Sequence, residues 1–147
     1  MDEEAAIVAV GRAIQLSVAP VFLLSGIGAM LAVMTNRLAR VGDRARGVEE
    51  QLEGSTAPDR EKAERDLAVM SRRAKLINLA ITLCTITALF VCAVVATMFL
   101  GAFFGFNAAI PVAVLFVGAM ATFFVGLLFF LREIFIATAS LRIGGPR

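Results

Sequence analysis

The sequence predicts an all-α integral membrane protein with three transmembrane helices. A cytosolic antiparallel helical hairpin, a short coiled coil, joins the first helix to the second. Residues 13–36 carry no charged side chain, and residues 76–131 carry none over 56 positions. Between them, residues 37–75 hold ten of the 14 Lys and Arg residues. The chain is 59% hydrophobic with a mean hydropathy of +0.85, whereas a soluble domain is about 45–50% apolar.

The amino-terminal segment, 1–12, is expected outside the membrane. It carries Asp2, Glu3 and Glu4 against a single Arg12. A cleavable signal peptide would need a basic start and a shorter apolar core, so the acidic start argues for a true span. A crossing takes roughly 20 apolar residues, and 13–36 fits one. Pro20 should kink it. Ala13, Ser17, Ser25 and Ala29 share a face of small residues.

The hairpin, 37–75, follows. Leu38, Val41, Ala45, Val48 and Leu52 are spaced alternately three and four apart, as are Ala63, Leu67, Met70, Ala74 and Ile77. Both are heptad seams. Gly54 reads as a helix stop, and Thr56, Pro58 and Asp59 as a helix start. An antiparallel register then faces Leu38 with Ala74, Val41 with Met70, Ala45 with Leu67 and Val48 with Ala63. Each span is expected to run on as one helix into its arm, reaching about 25 Å beyond the membrane. Gly42 and Gly47 weaken the first arm, each by up to about 1 kcal/mol relative to Ala.

Charge in the hairpin is sorted. Residues 37–46 and 69–75 carry seven positive charges against Asp43, and 47–68 carry three positive and seven negative charges. Arg37, Arg40, Arg44, Arg46, Arg72, Arg73 and Lys75 form a collar suited to anionic lipid headgroups, each worth about 1 kcal/mol near such a surface. The acidic tip is free to meet a basic cytosolic or membrane protein, although a solvated face with intrahelical ion pairs explains it as simply. Asp43 lies three residues from both Arg40 and Arg46, so pairing along one helix face is its plainest explanation.

The second span is read as 76–100 and the third as 108–131. The break, 101–107, contains Gly101, Gly105 and Asn107, and Pro111 opens the third span. Phe103, Phe104 and Phe106 would face the outer interface. A small residue recurs every fourth position at Ala80, Cys84, Ala88, Cys92 and Ala96. Such a ridge lets helices approach closely and leaves a surface for self-association into a homo-oligomer. Gly118, Thr122 and Gly126 make a shorter one. The tail, 132–147, carries Arg132, Arg142 and Arg147, while 101–107 carries no Lys or Arg. Lys and Arg collect on the cytoplasmic side. The amino end is therefore expected outside, with the hairpin and the carboxyl end in the cytoplasm.

The chemistry is spare. The chain has no histidine, the commonest base and metal ligand. Cys84 and Cys92 are eight residues apart in one span, about 12 Å along a helix, too far for a disulfide. No phosphate-cradling glycine loop, nucleophile elbow or HExxH is present. No enzyme activity, metal or cofactor is expected, and a net charge of +2 is too small to suggest nucleic acid.

"TNRLARVGDRAR" (35–46), "MSRRAKLINLAI" (70–81) and "FFLREIFIATASL" (129–141) together resemble a bacterial membrane family classified as domain of unknown function 2721. The matching positions are Asn36, Arg37, Leu38, Arg40, Asp43, Arg44, Arg46, Arg72, Arg73, Arg132 and Glu133. The resemblance implies the same architecture and no particular activity. It draws attention to Asp43 and Glu133 as motif carboxylates, and an ionic cluster of both with the collar is expected near the inner surface. The leading functional expectation is a non-enzymatic scaffold or accessory subunit of the cytoplasmic (inner) membrane. A second is an insertase or membrane chaperone, since the outline is similar to the YidC/Oxa superfamily. A third is a small oligomeric channel lined by Thr and Ser, including Thr85 and Thr122.

Overall fold

The computed structural model describes residues 3–52 and 57–141. Three helices account for nearly all of them: α1 (Glu3–Leu52), α2 (Ala57–Phe104) and α3 (Ala109–Leu141). No strand occurs among the described residues. All three helices are long and apolar enough to cross a membrane. The stop and start signals at Gly54 and Thr56, and the tail arginines Arg142 and Arg147, lie outside the described residues.

Helices α1 and α2 each run unbroken from an apolar stretch into a charged one, and α1 continues through Pro20. A proline removes one backbone donor, and the helix continues on both sides of it. The break between α2 and α3 is short, residues 105–108. Helix α2 extends to Phe104, four residues past the boundary expected for the second span. Gly105 then takes a left-handed φ of 70°, a conformation that only a residue without Cβ adopts at no cost. Its N–H donates to the Gly101 carbonyl at 3.0 Å. The chain restarts as Asn107 Oδ1 accepts the Ala109 N–H at 3.0 Å, satisfying a donor that the new helix leaves unpaired.

The chain forms two compact units, residues 1–31 with 83–124 and residues 32–82 with 125–147. In the first, Ala13, Ser17, Pro20 and Ile27 of α1 are buried, with Cys84, Thr87, Val91 and Val94 of α2 and Ala119 of α3. Thr87 and Thr122 share a hydroxyl–hydroxyl hydrogen bond of 3.0 Å between α2 and α3. Each hydroxyl also lies 2.9 Å from a carbonyl of its own helix, Thr87 from that of Leu83 and Thr122 from that of Gly118; with one proton apiece, the hydroxyl that accepts across the helices is the one that donates to its own carbonyl. Large apolar side chains such as Phe22, Phe103 and Ile110 are exposed, as expected of a surface that meets hydrocarbon.

In the second unit Met34 and Val41 of α1, Met70, Ile77 and Ala80 of α2, and Gly126, Phe130 and Glu133 of α3 are buried. The antiparallel register expected from the sequence pairs Val41 with Met70 and Val48 with Ala63. Val41 and Met70 line one cavity, and Val48 and Ala63 line another.

The small-residue ridge is only half used. Ala80 and Cys84 are fully buried, Ala88 is half-buried, and Cys92 and Ala96 are exposed. A four-residue step overshoots a helical turn by about 40°, so four steps carry the ridge roughly 160° around the helix. The buried positions Cys84, Thr87, Val91 and Val94 instead alternate three and four apart, which holds them on one face. The same drift exposes Ser25 and Ala29 of α1 while Ala13 and Ser17 stay buried.

Candidate functional site

Glu133 is the first carboxylate after Asp66 and follows a 56-residue stretch without charge and one arginine. It lies three residues after Phe130 and seven after Gly126 on α3, and all three positions are buried. That spacing points Glu133 inward and leaves the adjacent Arg132 exposed. The Glu133 side chain is 0% exposed.

Such a carboxylate persists in a folded interior only when it is paired. Arg73 of α2 supplies two hydrogen bonds to Oε1, from Nε at 3.1 Å and from Nη2 at 2.9 Å. Arg37 of α1 places Nη2 3.2 Å from Oε2. The Arg37 contact is an ion pair without the angle of a directed hydrogen bond, and Oε2 has no hydrogen-bond donor among the described residues. The Arg37 guanidinium also lies over the Phe130 ring, 5.4 Å from its centroid, a cation–π arrangement. One buried acid thus ties a side chain from each of the other two helices.

The seven collar residues divide. Arg37 and Arg73 turn inward to Glu133. Arg40 and Arg44 join Arg37 and Arg73 around a cavity of about 370 Å³ floored by Val41 and Met70. Arg72 and Lys75 are exposed outside it. Arg46 points to solvent and faces Asp43 at 4.0 Å.

Asp43 does not join the cluster that the sequence suggests. Its side chain is 75% exposed and Arg46 is its ion-pair partner. Helical geometry explains the separation. Asp43 is two residues, about 200°, from the buried Val41 and so faces away from it, whereas Arg37 and Arg44 fall within about 60° of Val41. The motif carboxylates therefore sit in opposite environments, one buried and cross-helical, the other on the surface.

The acids of residues 49–66 also differ among themselves. Glu64 pairs with Arg60 at 3.5 Å, and Glu61 pairs with Arg65. Both are intrahelical contacts four residues apart between exposed side chains, worth little to stability. Glu49, Glu50 and Asp66 are exposed without an ion pair among the described residues. No group of three or more potential metal ligands gathers among the described residues.

The sequence placed Glu133 near the collar but gave no sign of which arginines it takes. The usable signal is its isolation: a lone acid on an apolar helix must find a cation, and the basic residues nearest the apolar stretches of α1 and α2 are the available ones.

No curated protein and no solved structure matches the chain. The sequence pattern of the family described as "Protein of unknown function (DUF2721)" matches residues 17–143. That span contains Arg37, Arg73 and Glu133 together with all three motif stretches, and the chain belongs to this family.

Proposed function

We propose that the protein is a membrane-anchored scaffold or accessory subunit that presents its hairpin to a partner. In this reading the amino end lies outside a bacterial inner membrane, and residues 37–75 and the carboxyl end lie in the cytoplasm. The arms pack as a short antiparallel coiled coil. The observation that carries the reading is the buried Glu133, held at once by Arg37 of α1 and Arg73 of α2. A three-way ionic tie at the base of both arms gives them a fixed direction, as a docking platform requires. The exposed acids Glu49, Glu50 and Asp66 supply a negative surface for a basic partner. Electrostatic complementarity of this kind sets specificity and association rate more than affinity.

Two measurements test this. Reporter fusions at position 55 and at the carboxyl end are both expected to read cytoplasmic; an external signal from either overturns the orientation. The protein purified with its native lipid is expected to retain a defined partner. Reversing Glu49, Glu50 and Asp66 to lysine should reduce that retention about tenfold while changing stability by less than about 0.5 kcal/mol per site. Unchanged retention in the reversed protein removes the scaffold role of this surface. Cross-linking to emerging polypeptides in place of a defined partner points to an insertase.

A further inference from the structure

The cavity beside the ionic tie has a composition that Glu133 alone does not account for. Four of its six lining residues are arginines: Arg37, Arg40, Arg44 and Arg73. The only carboxylate bound to any of them among the described residues is Glu133. Arg40 and Arg44 form no ion pair or hydrogen bond among the described residues. One negative charge therefore stands against four positive ones around a single concavity. Four like charges at close range repel one another, and an anion placed among them relieves that repulsion.

The donors are also available. A guanidinium carries five N–H groups in its plane. Arg73 commits two nitrogens to Glu133 Oε1. Arg37 places its guanidinium carbon over the Phe130 ring and contacts Oε2 by charge rather than by a directed hydrogen bond. Its in-plane donors remain for another acceptor. The floor is apolar, made by Val41 and Met70, each 7% exposed. A low-dielectric wall behind the arginines strengthens their pull on an anion. Planar forks that line one cavity suit oxyanions, which arginine grips in pairs of parallel bonds. At about 370 Å³ the cavity accommodates a phosphate group with part of what it is attached to.

We propose that this cavity is a phosphate-binding site, with Arg40 and Arg44 as its primary ligands and Glu133 orienting Arg37 and Arg73. The phosphate group is either free phosphate or the headgroup of an anionic phospholipid, which presents the same oxygens. The site goes beyond a general attraction to anionic lipid, because it assigns saturable binding to two particular arginines. It does not depend on a protein partner at the acidic surface.

The test uses the full-length chain in neutral detergent with two probes. Native mass spectrometry follows retention of phosphatidylglycerol against phosphatidylcholine, and calorimetry follows inorganic phosphate. Saturable binding is expected in at least one arm: retention of phosphatidylglycerol alone identifies a lipid headgroup, and a phosphate isotherm identifies a free anion. The paired substitution R40Q/R44Q should weaken that binding about tenfold or more. R72Q/K75Q removes the same charge from exposed positions outside the cavity and should weaken it less than about threefold. Circular dichroism and thermal unfolding show that both variants keep the helical fold, which is expected because none of the four side chains is buried or paired among the described residues. Equal weakening by the two pairs overturns the proposal, because diffuse surface charge then accounts for the binding. Absence of saturable binding in both arms overturns it as well.

Discussion

Replacing Glu133 by glutamine is expected to lower stability by about 3 kcal/mol, the low end of the range for breaking a buried ion pair. Thermal unfolding in detergent or in lipid nanodiscs measures it. The carboxylate is fully buried, and its removal strands Arg73 and Arg37 near one another, with side chains only 17% and 26% exposed. These arginines reach some solvent, which is why the upper end of the range is not expected. The partners should rank. Arg73→Ala should cost more than Arg37→Ala, because Arg73 makes two hydrogen bonds to Oε1 and is the more buried. Glu133→Asp keeps the charge but shortens the reach by one methylene, so it should recover part of the loss. The sharpest form combines Glu133→Leu with Arg73→Met. Removing both charges leaves Arg37, the more exposed of the two cations, as the one without its acid, and the pair should be less damaging than Glu133→Leu alone. Strictly additive losses would show that Glu133 and Arg73 are not energetically coupled.

The second large effect is expected at Gly101. A Cβ there would lie 2.7 Å from the Ala108 Cβ and 3.4 Å from the Phe106 carbonyl oxygen. Neither atom is the far end of a flexible chain, so the turn between α2 and α3 must shift. Gly101→Ala should cost about 1–3 kcal/mol, as overpacking does. The same substitution elsewhere should have the opposite sign. At Gly42 and Gly47 a Cβ meets nothing within 4 Å. Alanine there removes the backbone freedom that glycine brings to the unfolded chain and should stabilise by about 0.5–1 kcal/mol per site. Gly118 is intermediate: its nearest neighbour, the Phe90 ring, stands at 3.9 Å, an ordinary contact, so Gly118→Ala should be close to neutral. A melting-temperature series across the four variants checks both sign and order. A Gly101→Ala protein as stable as the parent would mean that the turn has slack the packing does not suggest.

The fold was legible in the sequence because its strongest signals are local. Charge-free stretches of the required length read directly as apolar helices. Gly105 and Asn107 announced the turn through chemistry that acts within a few residues. Where the helices end was not legible, because helix termini depend on which carbonyls and amides find partners. In α2 the last of these is the Gly105 N–H to Gly101 carbonyl bond.

Packing was less legible. The four-residue ridge from Ala80 to Ala96 is conspicuous by composition, yet it winds off the buried face, and Cys92 and Ala96 end on the surface. Small side chains are compatible with close approach but do not require it. The positions that are buried, Thr87 and Val91 among them, were hidden by lying in an apolar stretch where every residue is a candidate. In the charged parts of α1 and α2, polar neighbours supply contrast, and Val41 and Met70 stood out.

The same contrast divides the two motif carboxylates. By itself the sequence determined three apolar helices, a basic collar and two acids within recognisable motifs, because hydropathy, charge and spacing are properties of the chain. Only the tertiary structure decided that Glu133 takes Arg37 and Arg73 while Asp43 keeps to Arg46 on the surface. Those partners are 96 and 60 residues from Glu133 along the chain. A cation that far away is chosen by the packing of α1 and α2 against α3, through side-chain directions that spacing along one helix does not specify.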